Sequence, residues 1–225
     1  MTGTPRRRAP RGAGEHLRTQ IIDAAKQLLT ETGSATAVSI RAVADLVGVT
    51  PPSIYLHFAD KDTLLAAVVA DVFQELDERM SAVAKDEHPL ERLRQQGLAY
   101  VRFALEAPEP YRLATMISGE FNDIDSVLTT SAFAHLAETV TDCMTAGIYH
   151  HGDPTPLVLD LWSAAHGIAS LLITKPHLPW GDPMDTADRV LGAAAAGRSV
   201  LEHLNEPTPR AFTTWLQERP PHAGE

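Results

Sequence analysis

Between Ser39 and Lys61 the chain gathers side chains that donate hydrogen bonds, Ser39, Thr50, Ser53, Tyr55 and His57, and two cations, Arg41 and Lys61. Hydroxyl, phenol and imidazole groups donate to phosphate oxygens, and the cations add the charge that a polyanion attracts. Arginine can also match a guanine edge with two parallel hydrogen bonds, worth roughly 1–3 kcal/mol of discrimination. Such groups read a surface only when a rigid support holds them in a fixed array.

The elements that would hold them are legible in the apolar spacing. Ile40, Val43, Ala44 and Val47 recur at helical intervals. Ser39 is placed to cap that short helix, and Gly48 to end it. Thr50 as N-cap and Pro51 at the first helical position open a second helix. It is barely two turns, because Phe58-Ala59-Asp60 leads into a new cap at Asp60. Upstream, Leu17, Ile21, Ala24, Ala25, Leu28 and Leu29 line one face of a helix that Gly33 would terminate. Downstream, Leu64, Leu65, Val68, Val69, Val72 and Leu76 carry a long amphipathic helix over about 60–82. Two short helices joined by Gly48-Val49-Thr50 form a helix-turn-helix, whose second helix can enter a major groove. Ile40, Val43, Ala44, Val49 and Ile54 must then close a small core. An ordinary helical hairpin, in which the small polar residues only cap, fits the same pattern.

The whole chain bounds the possibilities. At 225 residues, 44% hydrophobic and 21% charged, it is a globular protein of one or two domains. Its single cysteine, Cys143, excludes an intramolecular disulfide or a cysteine-built zinc site. No apolar run approaches the roughly 20 residues that span a bilayer, and no apolar segment follows Arg6, Arg7 and Arg8. The expected location is the reducing cytoplasm. Net charge is −10, distributed unevenly. Residues 1–62 hold eight Lys/Arg against six Asp/Glu, and the remainder eleven against twenty-three, so only the head suits a polyanion.

Proline-free stretches bound the long helices, and none alternates with period two. The fold expected is all-α: a basic arm over 1–14, a helix-turn-helix domain over 15–60, a helical body over 61–205 and a flexible tail over 206–225. No cofactor is expected.

The run Ser39-x-Arg41-x-Val43-Ala44-x-x-x-Gly48-Val49-Thr50-x-x-x-Ile54-Tyr55-x-His57-Phe58-x-x-Lys61-Asp62-x-Leu64-Leu65 resembles the DNA-binding domain of TetR-family transcriptional regulators. Tyr-x-His-Phe followed by Lys-Asp is its most specific part. The resemblance implies an N-terminal three-helix DNA-binding domain and a divergent helical domain for ligand binding and dimerisation. It implies phosphate contacts from Tyr55, His57, Lys61 and the helix start at Ser39. Arg41, Thr50, Pro51, Pro52 and Ser53 would face bases. Pro51-Pro52 departs from the longer polar groups common there, so thymine methyls or DNA shape must supply part of the discrimination. Arg6, Arg7, Arg8 and Arg11 either follow the backbone or minor groove as a basic arm, or remain a solvated tail.

In the body, residues 157–175 are apolar nearly all round, so a second covering surface is expected, supplied by another subunit. Trp162…His166-Gly167 resembles the Trp-His-Gly class of C-terminal domains in that family. Gly192, Ala193, Ala196, Gly197 and Val200 form a row of small residues that lets helices approach closely. With Leu161 and Ile168 they are the expected homodimer interface. Tyr100, Phe103, Tyr111, Met116, Phe121, Phe133, Met144, Trp162 and His166 are candidates to line a cavity for a small apolar or aromatic effector, although any of them also suits a plain core. Effector binding would tilt the helix over 60–82 and change the spacing of the two recognition helices.

His150-His151-x-Asp153 reads as a solvated loop rather than a metal site. Gly-x-Ser-x-Gly, a phosphate-binding glycine loop and His-Glu-x-x-His are all missing, which argues against an enzyme. The reading is therefore a transcriptional regulator, in the family's commoner mode a repressor, released from a palindromic operator by its effector. The alternative is a helical protein-interaction module with degenerate DNA binding.

Overall fold

A computed structural model describes residues 13–83, 88–115, 132–204 and 208–218. Among these residues every regular element is a helix. The chain divides into two units, Met1–Glu75 with Ala107–Leu128, and Leu76–Glu106 with Thr129–Glu225. The division differs from the boundary at residue 60 read from the sequence, because most of the long helix and a later short one belong with the head.

The first unit holds α1 (Ala13–Thr32), α2 (Ile40–Val47), α3 (Pro51–Tyr55), the start of α4 (Lys61–Ser81) and α6 (Pro108–Thr115). α1 packs on α2 and α6, and α2 on α3. The boundaries follow local chemistry. Gly33 ends α1 at φ 64°, its N–H bonded to Leu29 O at 2.9 Å. Ser39 Oγ accepts from Ala42 N at 3.1 Å, and Gly48 ends α2 at φ 78° with its N–H on Ala44 O. Asp60 Oδ1 accepts from the Thr63 N–H and hydroxyl, both at 2.7 Å, and the backbone bond is the main reason its carboxyl is held below the usual range. Thr50 occupies the N-cap of α3 without capping it. Pro52 lacks one of the two N–H groups that a cap would serve, and the other, on Ser53, bonds Thr50 O at 2.8 Å, so the hydroxyl pairs instead with Ser53 Oγ at 3.1 Å. Lys26 bridges α1 to α4 through Asp71 at 2.9 Å and Glu75 at 3.0 Å. Burial works against its charge, but these carboxylates outweigh it and hold the ammonium pKa above its ordinary value.

The second unit contains the end of α4, α5 (Pro89–Glu106), α7 (Ala132–Thr145), α8 (Thr155–Thr174), α9 (Pro183–Glu202) and α10 (Pro209–Gln217). α5 packs on α7, α8 and α9, and α8 on both α7 and α9. Gly97 permits the α5–α9 approach, since a Cβ there would lie 3.0 Å from Leu191 Cδ1. Arg94 pins the same pair of helices, its Nε and Nη2 each 2.6 Å from an oxygen of Asp188. Cys143 is fully buried, and burial pushes its thiol up to about 11.

Two expectations need correction. α8 is long and apolar enough to cross a membrane by length and composition, against the reading that no run approached that span. One side of it packs on α5, α7 and α9, while Leu159 and Leu171 stay exposed. Residues 209–217, read as flexible tail, form α10, with Thr208 Oγ1 accepting from Ala211 N at 3.1 Å and Pro209 in the first turn.

Candidate nucleic-acid interface

The helix-turn-helix closes around a small core. Val43, Ala44, Ile54 and Phe58 are almost fully buried, whereas Ile40 and Val49 are half-buried. Burying each large side chain contributes about 1.5–3 kcal/mol, enough to hold a five-residue helix that could not persist alone. The Arg18 guanidinium lies 5.2 Å from the centre of the Phe58 ring and fastens α1 to the turn after α3.

What this support leaves outward is polar and cationic. Ser39, Arg41, Thr50, Pro51 and Pro52 are exposed, Ser53 and His57 half-buried, and Tyr55 is 55% exposed. The first turn of α1 lies beside His57, since a Cβ on Gly14 would sit 4.0 Å from His57 Cε1. Lys61 is half-buried, and its Nζ donates to Ala35 O at 2.7 Å and to Thr36 O at 3.4 Å. It therefore ties the α1–α2 loop to the start of α4 and retains a third N–H for another acceptor. Leu56, absent from the sequence-based candidates, is 84% exposed between Tyr55 and His57. Its residue type gave no signal, since Phe58 two residues on is equally apolar and almost fully buried.

Arg6, Arg7, Arg8, Arg11, Met116 and Phe121 lie outside the described residues. Four of the remaining effector candidates come together in the second unit. Trp162 Nε1 donates to Tyr100 Oη at 3.3 Å, and Tyr100 Oη lies 3.3 Å from His166 Nδ1. The Trp162 ring stacks on His166 at 5.4 Å and meets Phe133 edge-on, also at 5.4 Å. Burial lowers the pKa of His166, so the neutral imidazole is favoured and Nδ1 can accept from Tyr100. Phe103 is buried beneath the Arg79 guanidinium, 4.9 Å from its ring centre, and Met144 is buried in α7. Tyr111 does not join them: it is a fully buried core residue of the first unit.

The expected dimer residues divide. Leu161 and Ile168 are buried within the protomer, at 8% and 4% exposure, so they are core and not interface. A helix apolar on all sides does not specify which stripe its own bundle will cover. Elsewhere on α8, Leu159 and Leu171 remain exposed. On α9, Gly192, Ala193 and Ala196 are exposed, with Gly197 and Val200 half-buried. A Cβ at Gly192 or Gly197 would meet nothing within 4 Å. His150 and His151 are exposed in the turn after α7, the His150 ring 5.1 Å from that of His203.

A three-helix head carrying a helix-turn-helix, followed by a helical body, defines the class: a helix-turn-helix regulator. Residues 21–68 match the family of bacterial regulatory proteins designated tetR, and residues 93–196 match the tetracyclin repressor-like C-terminal domain. The chain belongs to the TetR family of bacterial regulators. It is 28% identical over 90 residues to the HTH-type transcriptional regulator UidR of Escherichia coli K12, a match spanning 40% of each chain. Among solved structures, a Rhodococcus sp. RHA1 protein of unknown function is 25% identical, with a TM-score of 0.69 over 86% of this chain and 98% of the other. A TetR/AcrR-family transcriptional regulator from Thermobifida fusca YX-ER1 shares the fold at 24% identity, with a TM-score of 0.61 over 81% of this chain and 98% of that one.

Proposed function

We propose that this protein is a transcriptional repressor that binds a palindromic operator as a homodimer in the cytoplasm and is released by a small apolar or aromatic effector. The observation that carries the reading is the outward face of α2 and α3. Arg41, Thr50, Pro51, Pro52 and Tyr55 stand exposed on a support whose Val43, Ala44 and Ile54 are fully buried. Arg41, Thr50, Pro51, Pro52 and Ser53 face bases; Tyr55, His57, Lys61 and the start of α2 at Ser39 take phosphates.

A two-fold dimer supplies the second recognition helix that a palindrome requires. The small row on α9 supports this, because a Cβ added at Gly192 or Gly197 would meet nothing within 4 Å among the described residues. Glycine inside a helix costs about 1 kcal/mol relative to alanine, which a close helix crossing from a second subunit would offset. The effector reading rests on Tyr100, Phe133, Trp162 and His166, which combine aromatic surface with hydrogen-bonding atoms. α4 links the two functions along the chain, since Lys61–Glu75 belong to the first unit and Leu76–Ser81 to the second. The effector acts only through differential affinity for the DNA-competent and released states, typically about 1–3 kcal/mol.

Selection from random duplexes tests the reading. The purified full chain should enrich an inverted repeat at low salt. An enriched pool without two-fold symmetry would refute the dimeric operator, and no enrichment would refute DNA recognition.

A further inference from the structure

α10 is a short amphipathic helix that its own chain covers only in part. Ala211 and Trp215 are half-buried, Phe212 and Leu216 on the adjacent edge are exposed, and no residue of the helix is buried. The Phe212 and Trp215 rings stack at 5.8 Å, which makes the apolar edge a preformed ridge. A helix of nine residues does not persist in water unaided, so this edge needs a further covering surface.

The surface that fits is a second copy of this chain. Of the eleven exposed large apolar side chains among the described residues, six lie on α8, α9 and α10, and such a concentration marks an association surface. The small row on α9 cannot hold a dimer alone. Glycine and alanine let two helices come close but bring few carbon atoms, whereas a stable dimer buries about 800 Å² on each partner. Larger side chains must supply the rest.

Their positions follow from the register of α9. Val190 and Leu201, both exposed, bracket the small row and lie about three turns apart, hence on one side of the helix. An antiparallel two-fold crossing centred on that row brings Leu201 of each subunit to the partner subunit's Val190. Residues 203–208 link α9 to α10 and reach at most about 20 Å, so α10 emerges beside that end of the partner. Leu171, exposed in the last turn of α8, belongs to the same end, because residues 175–182 join the two packed helices there.

We propose that α10 is an exchanged dimerisation arm, whose Phe212 and Leu216 edge packs on a second copy over the partner subunit's Leu171 and Val190. This arm presupposes the two-fold dimer proposed above and extends its contact beyond α8 and α9.

Sedimentation equilibrium of the full chain, and photo-cross-linking between isotopically distinct copies, test it. Phe212→Ser/Leu216→Ser alters only exposed side chains, and its dimer should dissociate at least about tenfold more readily than the wild type's. Should α10 itself unravel in that variant, the cross-link decides. With benzoylphenylalanine in place of Leu216, irradiating a mixture of heavy-isotope and unlabelled copies should give mixed-isotope adducts near Leu171 and Val190. Equal dimer affinity in the two proteins, or adducts formed only within one chain, would overturn the arm and leave the dimer standing. A wild type that stays monomeric would overturn both.

Discussion

Leu56 presents its side chain to solvent at the edge of the exposed α2–α3 surface, beside Tyr55 and one residue before His57. In the free protein it contributes little to stability, and against a duplex its isobutyl group suits a thymine methyl. Leu56→Ser should leave the unfolding free energy within about 0.5 kcal/mol and reduce the preference for thymine at one position of each half-site. Parallel selections with the two proteins measure this. Arg41→Ala should relax a different position by about tenfold, since its guanidinium is the only arginine in the motif. An unchanged preference would remove Arg41 from base readout. In the body, burial lowers the pKa of His166, so the unfolded chain takes up the proton first as pH falls. Stability from this group is complete above the unfolded value near 6.5 and is lost below it. His166→Phe should therefore flatten the fall in unfolding midpoint between about pH 7 and 5. An equal fall in both proteins would show that His166 is not the titrating group.

At the scale of elements, glycine separates contacts within the chain from those outside it. Gly97→Ala brings a Cβ to 3.0 Å from Leu191 Cδ1, so Leu191 must shift and the variant should gain less stability than Gly192→Ala does. Gly192→Ala meets open space and should raise the isolated protomer's helix stability by up to about 1 kcal/mol. Gly192→Leu should shift the protein from dimer to monomer in light scattering; an undisturbed dimer would place the interface elsewhere. Locally determined features were the ones the sequence displayed. Ser39, Gly48 and Asp60 act within three or four residues of themselves, so their capping roles were readable in advance. Proline bounded the long helices, but it does not tell which short segments beside it are helical. Pro209 opens α10, and Pro108 opens α6, because a first-turn N–H has no partner to lose. Choices made by distant partners were hidden. The sequence did not show which stripe of α8 would be covered, that Tyr111 would enter the first unit's core, or that Gln96 would be buried.

For the molecule as a whole, the charge distribution restricts how it approaches a duplex. A head with eight cations among residues 1–62 precedes a body whose twenty-three acids outnumber eleven bases. Binding should weaken steeply with salt, by about 0.9 in log–log slope for each phosphate neutralised. Removing residues 1–12, with Arg6, Arg7, Arg8 and Arg11, should lower that slope if the arm lies on the backbone. An unchanged slope would assign the arm to solvent. The most direct measurement is the affinity of the full chain for a selected duplex, compared with that of an Arg41→Ala/Tyr55→Ala variant whose helicity and unfolding midpoint are checked in parallel. Both side chains are exposed, so the variant should fold as the wild type does and bind at least about tenfold more weakly. Equal affinity in two equally folded proteins would contradict the assignment of the α2–α3 surface to DNA.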